Sequence, residues 1–165
     1  MIRKTISVFW DWYERHYLLN IGIAAGLFVL QLVHLYWLTA DVVVLRLLGK
    51  SFFEVSGIWE SLIILVDYTE IPALITTSFV YINELRRRFA IKSLWFLFFI
   101  NSQWLHIFWI TDEFVLEQFA GAALIIMPVW LVWTAIFIDY LELPVIIDPI
   151  KKFLSAIKQK KISSF

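Results

Sequence analysis

Six ionisable side chains stand out because they fall inside long apolar stretches of the sequence. They are two histidines and four carboxylates: His34, Asp67, Glu70, His106, Asp139 and Glu142. Ionisable residues inside apolar, membrane-like segments are rare and mark functional sites. Imidazole nitrogens and carboxylate oxygens are the usual protein ligands of divalent transition metals. The six residues therefore predict a site for one or two metal cations.

The same six residues belong to an internal duplication. Sliding the chain against itself by 72 residues gives 11 identities among the 42 pairs that begin at position 31. Residue frequencies alone would give roughly 3. The polar matches include Gln31/Gln103, His34/His106, Thr39/Thr111, Asp67/Asp139, Tyr68/Tyr140 and Glu70/Glu142. Because these residue types are the ones that lipid tolerates least, we interpret the match as a duplicated site.

Helical spacing places the polar residues of each repeat on common faces. Gln31 and His34 are three residues apart, as are Asp67 and Glu70, and this spacing joins neighbouring turns of a helix. We expect four further residues to support the ligands from behind: Gln31, Gln103, Tyr68 and Tyr140. Pro72 and Pro144 lie four residues after the two tyrosines. Since proline has no N–H, this predicts a free tyrosine carbonyl oxygen beside each acidic pair.

Four apolar runs must position these residues, at roughly 18–40, 56–82, 93–116 and 119–147. Hydrophobic residues make up 61% of the chain, and the mean hydropathy is +0.79. About 20 apolar residues in a helix cross a bilayer. The sequence thus predicts an all-α integral membrane protein. The expected fold is an antiparallel four-helix transmembrane bundle built from two parallel two-helix repeats, related by a pseudo-two-fold axis along the membrane normal.

Charge distribution predicts how the chain is organised and oriented. We expect an interfacial segment at 1–17, a first repeat at 18–84, a second at 85–150 and a basic cytoplasmic tail at 151–165. Twelve of the 14 Lys and Arg residues precede the first run, separate the second from the third, or follow the fourth. By the positive-inside rule, both termini lie on the cytoplasmic side of a cell membrane.

The position of each ligand along its helix predicts which ligands can meet. At a rise of about 1.5 Å per residue, His34 and Asp67 reach the same height above the cytoplasmic edge of the membrane. In the second repeat Asp139 lies lower than His106. This predicts an asymmetric second half, a tilted fourth helix, or a fourth helix that continues past Asp148 and Pro149.

Composition excludes several classes of function. Lys and Arg together number 14, as do Asp and Glu, so the chain has no net charge and nucleic acid is not an expected partner. The absence of cysteine rules out disulfides, thiolate metal sites and iron–sulfur clusters. The expected partner is the lipid bilayer, and a homo-oligomer or a larger membrane complex remains open.

Four functions are compatible with this pattern. Four carboxylates and two histidines are also the ligand inventory of di-iron and di-manganese bundles, although there each histidine shares a helix with a carboxylate. The first hypothesis is therefore metal binding, with redox chemistry on a lipid-soluble substrate. The second is a proton or cation relay through the acids. The others are haem b held between the two histidines and a structural accessory subunit whose polar pairs fix helix register.

Overall fold

The computed structural model describes residues 2–52, 57–116, 121 and 128–162. Within those ranges every regular element is helical, which confirms the all-α prediction. The helices are α1 (Ile2–Arg15), α2 (Tyr17–Trp37), α3 (Val44–Leu48), α4 (Ile58–Tyr68), α5 (Glu70–Arg87), α6 (Ile91–Ile110), α7 (Val129–Tyr140) and α8 (Glu142–Ile162). Two π-helical segments, Leu38–Val43 and Thr111–Leu116, extend α2 and α6.

Four continuous stretches are long and apolar enough to span a membrane. They are Tyr17–Leu48, Ser61–Arg87, Ile91–Ile110 and Val129–Lys161. The fourth differs most from the predicted run 119–147: residues 119–120 and 122–127 lie outside the described part of the chain, and the helical stretch continues well past 147. Pro149 lies inside α8, so the fourth helix does continue past Asp148 and Pro149. The predicted boundaries after residues 84 and 150 fall inside α5 and α8.

The long helices pack around a common core. Helix α2 contacts α5 and α8, while α6 contacts α5, α7 and α8. Phe28, Leu74, Ile100 and Ile146 are almost fully buried where these helices meet. The space between the four long stretches is thus filled by side chains from every one of them.

Two single-residue breaks interrupt the second and fourth stretches. Thr69 separates α4 from α5, and Leu141 separates α7 from α8. Each break lies three residues before a proline, Pro72 or Pro144. A proline ring clashes with the carbonyl four residues earlier and cannot donate to it, which disfavours a regular helix there. An Asp lies two residues before each break and a Glu directly after it.

Helix α1 is amphipathic and is docked on the bundle. Its Trp10 and Tyr13 are buried and contact the ring of Phe79 in α5. The Arg86 guanidinium lies 4.3 Å from the centre of the Trp10 ring, a cation–π contact. Burial raises the pKa of the Tyr13 hydroxyl above its usual range, because the charged phenolate would lose its solvation there.

Gly22 of α2 packs against the ring of Phe153 in α8. A Cβ added there would lie 2.9 Å from Phe153 Cε2, whereas one added at Gly26 would meet nothing within 4 Å. We expect Gly22→Ala to displace the Phe153 ring and to lower stability by about 1 kcal/mol. Gly26→Ala, the matched control, should be neutral or stabilising because alanine favours helix. Thermal unfolding in detergent measures both, and equal melting temperatures for the two variants would contradict this packing.

Candidate metal centre

The structure buries all six predicted ligands within the bundle. Their exposed fractions are 4% or less: His34, Asp67, Glu70, His106, Asp139 and Glu142. The histidines lie near the ends of α2 and α6, one turn before the two π-helical segments. Segments of π-helix are rare and often occur at functional sites. The four acids flank the breaks at Thr69 and Leu141. Each of the four long stretches thus has an irregular segment of backbone close to one of the predicted ligands.

Each histidine faces the aspartate of its own repeat. His34 Nδ1 lies 2.5 Å from Asp67 Oδ1 and forms a hydrogen bond. His106 Nδ1 lies 2.7 Å from Asp139 Oδ1, although the two atoms are not aligned for a hydrogen bond. In metal sites a carboxylate at one ring nitrogen fixes the tautomer and the orientation of the imidazole. The Nε2 atoms are then left to bind a metal.

The two repeats meet at the histidines. The His34 and His106 rings are 5.1 Å apart between centroids, and His34 Nε2 is 3.9 Å from Asp139 Oδ2. His34, His106 and Asp139 each offer a ligand atom within 4.8 Å of the others. Ligand atoms on a tetrahedral zinc ion are about 3.4 Å apart, from bond lengths of about 2.0–2.1 Å. This group can hold a metal ion after small side-chain movements.

Several buried atoms at this place have no hydrogen-bond partner among the described residues. They are both ring nitrogens of His106, both carboxylate oxygens of Asp139, His34 Nε2, Glu70 Oε1 and Glu142 Oε1. Leaving a buried polar atom unsatisfied costs about 1–3 kcal/mol. A bound cation would satisfy several of these atoms, because both imidazole nitrogen and carboxylate oxygen are metal ligands.

Glu70 and Glu142 lie at the border of the three-residue group. Glu70 interacts electrostatically with Glu142, Asp139 and His34, and Glu142 interacts with His34 and both aspartates. The four carboxylates and His34 are therefore close enough for their charges to interact. A divalent cation would offset the repulsion between carboxylates.

The glutamines contact the backbone beside the aspartates, so they support the acids through the helix. Gln31 Nε2 donates to Thr69 Oγ1 at 3.0 Å and to the Val66 carbonyl oxygen at 3.3 Å. Gln103 Nε2 donates to the Ile138 carbonyl oxygen at 2.9 Å. Val66 and Ile138 each precede an aspartate. The glutamines thus tie the histidine helices to the turn that carries Asp67 or Asp139.

The tyrosines contact the opposite repeat. The Tyr140 and Thr39 hydroxyls are 2.7 Å apart, and those of Tyr68 and Thr111 are 2.9 Å apart. The roles of Thr39 and Thr111 were not predicted from the sequence. Both threonines match in the duplication, and that match is the signal that could have identified them.

An apolar pocket of about 200 Å³ lies between α6 and α7 beside the group. It is lined by Leu105, Phe108, Trp109, Leu131, Thr134, Ala135 and Ile138. The Trp109 ring centre is 5.6 Å from that of His106, and Ile138 precedes Asp139. The Trp109 ring thus lies between this pocket and His106.

Neither a known protein family, nor a curated protein, nor a solved structure matches this chain. Its function must therefore be inferred from its own residues.

Proposed function

We propose that this protein is an integral membrane protein that binds one or two divalent transition-metal ions at the centre of its helical bundle. One observation carries the proposal: seven buried ligand atoms, on the two imidazoles and three of the carboxylates, have no hydrogen-bond partner among the described residues. His34, His106 and Asp139 form the core of the site. Asp67, Glu70 and Glu142 complete it.

The residues take different roles in this proposal. His34 and His106 bind the metal through Nε2, because their Nδ1 atoms face carboxylates. Asp67 orients His34. Asp139 has two roles, since Oδ1 faces His106 while Oδ2 points towards His34 Nε2. Glu70 and Glu142 supply further oxygen ligands and the negative charge that a divalent cation requires.

Membrane insertion is supported by the inverted distribution of polarity. On α6, Gln103 and His106 are buried, while Phe98, Leu105 and Phe108 are more than half exposed. A water-soluble bundle has the opposite pattern. We therefore place the four long stretches across a bilayer as an antiparallel bundle, with the segments 1–17 and 151–165 at its surface.

The duplicated arrangement is supported by contacts that recur after 72 residues. The His34–Asp67 pair corresponds to His106–Asp139, and the two Tyr–Thr bonds exchange partners between the halves. Such reciprocal contacts are what a pseudo-two-fold axis produces. We propose that the two repeats run parallel and share one metal centre.

The geometry favours a metal ion over haem b. The imidazole rings are 5.1 Å apart at an interplanar angle of 67°, so they leave no slot for a porphyrin between them. A second candidate function, redox chemistry on a lipid-soluble substrate, is supported by the apolar pocket beside His106 and Asp139. A bound transition metal would supply the electron transfer, and the pocket would hold the substrate.

Metal content of the purified protein tests the proposal. We expect about one or two ions per chain and loss of most of that metal in His34→Ala and His106→Ala, since each removes a ligand. Asp67→Asn should weaken metal binding by about 10–100-fold, because it disturbs the orientation of His34. Elemental analysis and metal titration measure these effects.

The third histidine of the chain provides a matched control. His16 is exposed and lies between α1 and α2, so His16→Ala should retain the metal. Wild-type protein that stays metal-free after incubation with Mn²⁺, Fe²⁺ or Zn²⁺ would contradict the proposal. Proton flux in liposomes that requires the four acids, in a metal-free protein, would favour the relay instead.

The absence of cysteine allows a direct test of orientation. We propose that both termini are cytoplasmic, because the Lys and Arg residues concentrate on that side. In Lys50→Cys, a membrane-impermeant maleimide should label intact cells. In Lys4→Cys and Lys158→Cys, labelling should require permeabilisation. The reverse pattern would refute this orientation.

A further inference from the structure

A second feature of the molecule is a long groove on the outer surface between α5 and α6. Its volume is about 650 Å³. Its walls are almost entirely apolar and include Ile82, Ile91, Trp95 and Phe98. From Ile91 to Asn101 the groove follows α6 for about 15 Å, at 1.5 Å per residue. That length equals half of the roughly 30 Å hydrocarbon core of a bilayer, which is one leaflet.

The shallow end of the groove is strongly basic. It adjoins the turn between α5 and α6, where Arg86, Arg87, Arg88 and Lys92 are all exposed. Arg86 and Arg87 face Glu14, and Lys92 pairs with Asp148. Among the described residues, Arg88 has no anionic partner. Arg88 is thus an exposed cation without an acidic partner, three residues before Ile91 at the end of the groove.

At the opposite end of the groove, the polar side chain of Asn101 already has hydrogen-bond partners within the protein. Asn101 Nδ2 donates to Ser78 Oγ at 3.1 Å and to the Leu97 carbonyl oxygen at 2.8 Å. Its Oδ1 accepts a bond from Trp104 Nε1. Since this amide is satisfied by neighbours, the remaining surface of the groove matches hydrocarbon.

We propose that this groove binds one anionic phospholipid, with an acyl chain between α5 and α6 and the phosphate at Arg88. The guanidinium suits a phosphate because its N–H groups donate to two oxygens at once. Basic pockets between transmembrane helices on the cytoplasmic side are known to favour anionic lipids. The assignment depends on the proposed membrane insertion and orientation, and it is independent of the metal centre.

Native mass spectrometry of protein taken from vesicles of equal phosphatidylglycerol and phosphatidylcholine tests the assignment. We expect one retained phosphatidylglycerol per chain, favoured over phosphatidylcholine. Arg88→Gln should reduce that preference by about fivefold, the effect of one cation near a membrane surface. Lys151→Gln, which removes an exposed cation elsewhere, is the matched control and should leave the preference unchanged.

A groove-filling variant tests the position of the acyl chain. Leu94 lines the groove and is 44% exposed, and Leu30 on α2 is 42% exposed. Leu94→Trp should lower lipid retention several-fold, while Leu30→Trp should not. Equal retention in these two variants, or equal retention of both lipids by the wild type, would overturn the proposal.

Two other occupants give distinct results. Displacement of the lipid by millimolar glycerol phosphate would show a site for free phosphate. A dimer that Leu94→Trp dissociates would show a second copy of the chain in the groove. Either result overturns the lipid assignment. Metal content measured on the same samples separates these outcomes from a failure of the metal proposal, and recovery of the chain in the soluble fraction would refute membrane insertion itself.

Discussion

The structure depends on the need to satisfy ionisable groups that are buried in an apolar bundle. A carboxylate or imidazolium without a partner is far too costly there, because no water solvates it. Asp67 meets this constraint through a hydrogen bond with His34, and Asp139 lies 2.7 Å from His106 without forming one. These pairs join the histidine helices to the acid-bearing helices, and they fix the depth at which the helices meet. Other polar contacts, such as Gln31 with the Val66 carbonyl, reinforce the same register.

Irregular backbone brings the site together. The breaks at Thr69 and Leu141 let each Asp and the following Glu approach the centre from consecutive helices. The π-helical segments beyond His34 and His106 bring Thr39 and Thr111 within reach of the tyrosines of the opposite half. The two helix breaks and the two π-helical segments therefore lie next to the residues of the proposed metal site.

Much of the site was predictable because the polar residues repeat within apolar runs. The spacing of His34, Asp67 and Glu70 and their partners predicted burial on inward faces, and the structure buries all six. The targets of Gln31 and Tyr140 were not predictable, since a side chain's partner depends on how the helices pack. The C-terminal end of α8 could not be predicted, because proline usually ends a helix and Pro149 lies within this one. Proline is tolerated inside a helix where neighbouring helices surround it. The sequence likewise could not predict that His34, His106 and Asp139, rather than the other acids, form the three-residue group.

X-ray absorption of the zinc-loaded protein is the most direct test of the central claim. Because the chain has no cysteine, no thiolate can bind the zinc, and the proposed ligands are nitrogen and oxygen. We predict a shell at about 2.0–2.1 Å, with outer-shell scattering from two imidazoles in the wild type and in His16→Ala. A shell without imidazole scattering would contradict a metal centre built on His34 and His106.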